Sequence, residues 1–268
     1  MHDLRTNPIR DSSIVAHREW LSGFDAGYLE KWNRLLDADR ESALCEAGVC
    51  QLLRDRRVEV QPFEDLREER RKPDFLCEVN KERFYVETTC VRVPTLSRRT
   101  KMSAEPSRET LPFHPAGTCQ AIASKCKDKS EHGQFDNLDS PALLAVGTFH
   151  WPASAIGFSK VLAPWVLTGE PCRTREVDPE SPADSDWHEW TDLEYAAFIA
   201  KDGDGELQYI ARNVSGILLC GLDSWPATCI GVAHPSPFYD FNWELMPSIE
   251  VASVLIDDQQ GELHVNWR

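Results

Sequence analysis

The sequence predicts a mixed α/β layer fold, and three observations carry that expectation. Two short alternating strands, 74–79 and 84–89, are joined by the polar tetrapeptide Asn80-Lys81-Glu82-Arg83. Further on, Ala142-Leu143-Leu144-Ala145-Val146 is apolar without interruption, the pattern of a strand buried on both faces. Amphipathic helical stretches precede the first pair and separate it from this third strand. That order of elements builds a sheet with helices packed on it.

In chain order, residues 12–38 read as one amphipathic helix. Trp20, Leu21, Phe24, Tyr28, Leu29, Trp32, Leu35 and Leu36 recur at helical spacing, and Gly23 and Gly27 are its weak points. A second helix, 41–56, has Asp39 as its N-cap. Glu46 falls on its apolar stripe beside Ala43, Cys50 and Leu53, and a carboxylate there needs a partner, a proton or a metal ion. Val58-Glu59-Val60 alternates as a short strand. The segment 90–117, rich in Pro, Ser and Arg, reads as a long irregular connection of the kind that is usually functional or disordered. Residues 118–130 form a helix whose stripe of Cys119, Ile122 and Cys126 continues to Lys129, with Lys125 one turn earlier. Past Trp151 the pattern thins. A helix at 161–167, an acidic Trp-containing insertion at 170–207 and strands at 214–220 and 228–233 precede two short strands at 253–256 and 263–265. With no repeat or clean linker, 1–268 reads as a single domain: an N-terminal helical segment 1–40, a core 41–150 and a C-terminal extension 151–268.

Composition excludes several classes. No apolar run approaches the roughly 18 residues of a membrane span, and the first residues lack a signal-peptide apolar region. Nine cysteines, an odd number without a C-x-x-C pair or framework spacing, point to reduced thiols in a cytoplasmic protein. The same lack of spacing removes a zinc ribbon, and no nucleophile elbow accompanies Cys220 with His234 or Cys90 with His150 to make a cysteine hydrolase. A net charge of −15 argues against indiscriminate nucleic-acid binding. Its distribution is uneven, however: Arg92, Arg98, Arg99, Lys101, Arg108, Lys125, Lys127 and Lys129 make 91–130 a basic strip, whereas 170–207 is strongly acidic. The strip suits a phosphate-bearing substrate; the acidic tract suits a cover for the strip or a protein partner.

The hairpin is the chemical centre. With Val79 opposite Phe84, side-chain alternation sends Phe75, Cys77, Val79, Phe84 and Val86 to one face and Asp74, Leu76, Glu78, Tyr85, Glu87 and Thr89 to the other. This register sets Thr89 opposite Asp74, with Glu87 on the diagonal about 7–8 Å away. Asp74, Glu87 and Glu46 offer the acceptor-only oxygens that Mg²⁺ or Mn²⁺ prefers. A lysine ammonium beside such a site would lower the pKa of a bound water or neutralise charge on a phosphate in its transition state.

These residues resemble the PD-(D/E)XK nuclease superfamily, which has a restriction-endonuclease-like fold. Its signature is Pro-Asp, a spacer, then an acidic residue, any residue and Lys on the next strand. Pro73-Asp74 and Glu87-Thr88-Thr89 occupy those places, and Glu46 resembles the family's helical acidic motif. Thr89 departs from the pattern, standing where Lys is usual. Some members carry the lysine on the following helix, and Lys129-Ser130-Glu131-His132-Gly133, with Leu138-Asp139-Ser140-Pro141 before an apolar strand, is similar to uncharacterised bacterial members of that kind. The resemblance extends to Val214-Ser215-Gly216-Ile217-Leu218-Leu219 and His234-Pro235-Ser236-Pro237. It implies a mixed central sheet flanked by helices and a divalent-metal-dependent endonuclease acting on nucleic acid, DNA ahead of RNA. Asp74 and Glu87 would be Mg²⁺ or Mn²⁺ ligands, Glu46 a third ligand or a water-orienting group and Thr89 a hydrogen-bonding remnant. Lys129 would be the phosphate or water lysine, with Lys125 as the other candidate for that role. Arg92, Arg98, Arg99, Lys101, Arg108 and Lys127 would track phosphates. A homodimer is a further expectation, as is the alternative of a non-catalytic, decayed member that binds nucleic acid or protein.

Overall fold

The structure is a computed structural model that describes residues 8–64, 66, 71–104, 114–175, 187–223, 226–257 and 262–268. The N-terminal stretch expected as one helix is two: α1 (Pro8–Leu21) and α2 (Ala26–Ala38). The chain turns at Gly23, and the Asp25 carboxylate restarts the helix by accepting from Gly27 N at 2.8 Å. α3 (Arg40–Asp55) begins at the expected cap, where Asp39 accepts from Ser42 N at 3.3 Å and Ser42 Oγ at 2.7 Å. Trp32 ties α2 to α3 by donating from its indole nitrogen to the Ala43 carbonyl.

The strands β1 (Glu59–Pro62), β2 (Phe75–Val79), β3 (Glu82–Cys90) and β4 (Ala142–Thr148) come first in the chain. β5 (Glu170–Arg175) pairs with β6 (Trp187–Asp192), and β7 (Ile199–Lys201) with β8 (Leu207–Tyr209), as two separate ribbons. β9 (Gly216–Gly221), β10 (Thr228–Ala233), β11 (Glu250–Asp257) and β12 (Glu262–Trp267) complete the set. Among the described residues eight strands form one sheet in the order β1-β2-β3-β4-β9-β10-β11-β12. β3, β4 and β9 run parallel at its centre; the pairs β1–β2, β2–β3, β9–β10 and β11–β12 are antiparallel, and β10–β11 is parallel. The second half of the chain therefore continues the sheet, and β11 and β12 are longer than the short strands expected there.

Alternation along these strands feeds two cores. One face sends Phe75, Cys77, Phe84, Val86, Leu143 and Ala145 towards the helices α1–α3. The other sends Tyr85, Leu144, Val146, Ile217 and Leu219 towards α5 (Ala116–Glu131) and α6 (Ala163–Thr168), which contribute Cys119, Ile122, Cys126, Val166 and Leu167. This is a mixed α/β fold with a large central sheet flanked by helices. No helix among the described residues is long and apolar enough to cross a membrane.

Two local expectations change. The hairpin pairs Val79 with Glu82 and Cys77 with Phe84, a register two residues from the expected one. Its turn is the two-residue Asn80-Lys81, both at positive φ (52° and 70°), the conformation whose twist matches that of the flanking strands. A shift of two leaves every side chain on its expected face, because the strand period is two. The segment 90–117 contains a helix, α4 (Val93–Thr100), opened by Pro94 in its first turn and closed by Lys101 in the left-handed conformation. The acidic insertion is anchored by Ala196, Ala197, Phe198 and Ile199, all buried against the α5 side of the sheet.

The seat of α3 on the sheet is tight at Gly147 in β4. A Cβ there would lie 2.8 Å from Leu222 Cδ1 and closer still to Cys45 Sγ. Gly147→Ala should lower stability by about 1–3 kcal/mol through overpacking, read as a lower denaturant midpoint at unchanged slope. An unchanged midpoint would contradict this seating of α3.

Candidate functional site

β3 is longer than the strand beside it. Its ladder with β2 ends at the pair Phe75–Val86, while its ladder with β4 continues to Cys90–Gly147. Beyond Val86 the β2 side of β3 is an open sheet edge, and exposed strand amides there need a partner. Asp74, the residue before β2, fills the gap with its side chain. Its Oδ2 accepts from Thr88 N at 2.7 Å and from Thr88 Oγ1 at 2.5 Å. Extending the ladder by one residue sets Glu87, where Thr89 was expected, opposite Asp74.

Glu87 is only 2% exposed. Its Oε1 accepts from Lys129 Nζ at 2.5 Å and from Gln134 Nε2 at 2.7 Å. Its Oε2 is buried and has no hydrogen-bond partner among the described residues. Lys129 arrives from one face of the sheet because the buried stripe Cys119, Ile122, Cys126 of α5 carries it there. Glu46 arrives from the other face on α3. Glu46, Asp74, Glu87, Thr88, Thr89, Lys125, Lys129 and Gln134 line one cleft of about 500 Å³. An adjoining recess of about 630 Å³ shares Asp74, Lys125, Lys129 and Gln134 with it and adds Lys31, Glu64, Arg71, Lys72, Asp128 and His132.

The carboxylates disturb one another. Burial raises Glu87 to about 8, with the Asp74 charge adding to the shift and the Lys129 ammonium opposing it. Burial also raises Asp74, against the hydrogen bonds from Thr88 and the charges of Lys129 and Lys31. Glu46 is pushed well above the ordinary carboxyl range by burial, then by Asp74, Glu64 and Glu87. Its neighbour His17 places Nε2 3.7 Å from Glu46 Oε1, and burial lowers that imidazole to about 3. At neutral pH His17 is uncharged, so the contact is no ion pair.

Among the described residues no group of three or more His, Cys, Asp or Glu side chains is gathered closely enough to hold a metal ion. The donor set nonetheless fits a hard divalent cation. Mg²⁺ takes one or two carboxylates and keeps several waters, so it needs no closed cage. Asp74 and Glu87 supply those oxygens, and Glu87 Oε2 is a buried acceptor without a donor.

The expected site residues are thus brought together in part. Glu46, Asp74, Glu87, Thr89, Lys125 and Lys129 share the cleft. Arg92 stands at its rim and bonds Asp39. Arg98 and Lys101 are exposed on and just after α4. Arg99 and Lys127 line a different recess, together with Leu193, Glu194 and Tyr195 of the acidic tract. Arg108 lies outside the described residues. Sequence reasoning missed Thr88, Gln134, Lys31, Arg71 and Lys72. Thr88 carried a signal in its hydroxyl next to a strand carboxylate; Gln134 and the three cations carried none, being gathered only by the fold. No protein-family model matches the chain, nor does any curated protein or solved structure.

Because Glu87 titrates near 8 in the fold against an ordinary 4.5, the folded state holds a proton that the unfolded chain has lost. That contribution is complete below about pH 4.5 and is lost as pH rises through about 8. In metal-free buffer, Glu87→Gln, which mimics the neutral acid, should lose less stability than the wild type between about pH 5 and 8.5. The melting-temperature difference should move by several degrees in the variant's favour. A pH-independent difference would contradict the raised carboxyl.

Proposed function

We propose that this chain is a divalent-metal-dependent nuclease of the restriction-endonuclease-like class that hydrolyses phosphodiester bonds of nucleic acid. The observation that carries the proposal is the convergence of Asp74 just before β2, Glu87 on β3, and Glu46 and Lys129 from helices on opposite faces of the sheet, on one cleft. The adjoining recess supports it. A chain of net charge −15 gathers Lys31, Arg71, Lys72, Lys125 and Lys129 beside those carboxylates, where a phosphate backbone would run. In the resting protein some of this charge is engaged: Lys31 pairs with Glu64 at 2.8 Å, and Lys72 lies over the Phe63 ring at 5.0 Å.

Asp74 and Glu87 would hold the cation, with Glu46 completing its surroundings. Mg²⁺ or Mn²⁺ bound there supplies Lewis-acid neutralisation of the scissile phosphate. Thr88 keeps Asp74 Oδ2 fixed through two hydrogen bonds, so its other oxygen is presented without rotation. Gln134 holds Glu87 in the same way. Lys129 Nζ lies on Glu87 Oε1 in the metal-free protein. Released from Glu87, the Lys129 ammonium would be free to meet the non-bridging phosphate oxygens as charge develops. Thr89, buried on the same wall where the family has lysine, has a hydroxyl in place of an ammonium and leaves the cationic role to α5.

Purified protein with Mg²⁺ or Mn²⁺ should cut plasmid, single-stranded DNA or RNA, and chelation should abolish the cutting. Asp74→Asn, which can still accept from Thr88, and Glu87→Gln should each lower turnover by about 10²–10³-fold or more. Absence of cleavage on all three substrates, with no metal uptake sensitive to Asp74→Asn, would leave a non-catalytic binding module.

Lys129→Met should depress turnover more than metal affinity; an inactive Lys125→Met with an active Lys129→Met would move the role one turn back along α5. Replacing Lys72 and Lys125 should flatten the salt dependence of nucleic-acid binding by about one unit of slope for each phosphate no longer neutralised. Replacing Arg99 and Lys127 should leave that slope unchanged.

A further inference from the structure

Behind Glu46 sits a buried histidine to which the proposed chemistry gives no task. His17, on α1, is 4% exposed. Its ring is held between Trp20 and Trp32, with centroids 5.1 and 4.8 Å away. Its Nε2 is sealed from solvent and has no hydrogen-bond partner among the described residues. An orphaned buried nitrogen is costly and calls for an explanation. The acceptor facing it is Glu46 Oε1 at 3.7 Å, about 0.8 Å beyond a good hydrogen bond.

Glu46 is the one cleft acid of the three that the described residues do not hold. Thr88 fixes Asp74, and Lys129 with Gln134 fixes Glu87, whereas Glu46 accepts no hydrogen bond from a described residue and has only the long approach to His17. The two tryptophans pack against the imidazole on both sides, so closing the gap falls to the Glu46 side chain, which no described residue holds. We propose that His17 is a positioning residue for Glu46: as Glu46 turns one oxygen to a cation in the cleft, its other oxygen accepts the Nε2–H of His17 and is locked in orientation. Hydrogen bonds of this kind from the layer behind a ligand fix its geometry and raise its affinity for the ion. The inference rests on the metal-dependent reading above.

The test is calorimetric titration of the full chain with Mn²⁺ alone, alongside melting temperatures, for the wild type, His17→Phe and His17→Gln. Phe fills the aromatic cage without a donor, and the Gln amide can present an N–H to the same oxygen. His17→Phe should weaken Mn²⁺ binding about 10–100-fold with the melting temperature held or raised, and His17→Gln should restore most of the affinity. In a double-mutant cycle, Glu46→Gln should erase the effect of His17→Phe. Equal losses in the Phe and Gln variants, or losses additive with Glu46→Gln, would overturn the proposal by making the effect one of packing. Wild-type affinity in His17→Phe, while Asp74→Asn abolishes uptake, would also overturn it and leave the nuclease reading standing. No Mn²⁺ uptake by the wild type would instead defeat that reading, and this inference with it.

Discussion

A central strand that outlasts its neighbour organises this molecule. β3 pairs with β4 as far as Cys90, but β2 covers it only as far as Val86, which leaves the edge amide of Thr88 facing a gap. Asp74 closes the gap with its carboxylate, substituting a side chain for the missing backbone. An acid is thereby fixed at the open end of a sheet, next to Glu87 on the longer strand. Since the sheet carries a helix layer on each face, the same opening is where α3 and α5 can meet. Glu46 comes from one and Lys129 from the other. One length mismatch thus produces both the cleft and the convergence within it.

The electrostatic consequence follows from burial. Burial raises the proton affinity of Glu46, Asp74 and Glu87; the Asp74 charge raises Glu46 and Glu87 further, and Lys129 offsets part of the shift at Asp74 and Glu87. Such carboxyls keep their protons at higher pH than usual, and a hard cation bound among them would displace those protons and favour the ionised forms. The surrounding charge agrees: Leu193, Glu194 and Tyr195 share a recess with Arg99 and Lys127, while Lys72, Lys125 and Arg71 line the recess that adjoins the carboxylates. A net-negative protein is in this way given a locally positive entrance.

Much of this was legible wherever the signal was local. The Asp39 cap, the α5 stripe leading to Lys129, the two faces of the hairpin and the buried β4 strand all follow from periodicity and short-range chemistry. The hairpin register was not, because Asn80 and Lys81 adopt positive φ without a glycine to announce it. The break between α1 and α2 turns on Gly23 and an Asp25 cap, a signal weaker than the surrounding apolar spacing. α4 was hidden by its polar, arginine-rich composition. What sequence could not supply was gathering: Lys31, Arg71, Lys72 and Gln134 come from separate elements, and His17 reaches Glu46 only because α1 lies across α3. Contacts of that range have no periodicity to read.

The gap at the end of β2 is proposed as a cation site. A crystal of the protein soaked in Mn²⁺ and measured at the manganese absorption edge tests it directly. An anomalous peak between the Asp74 and Glu87 carboxylates, with Lys129 Nζ drawn off Glu87 Oε1, is the result expected. A soaked crystal with no peak in the cleft, and with the Lys129–Glu87 pair intact, would contradict it.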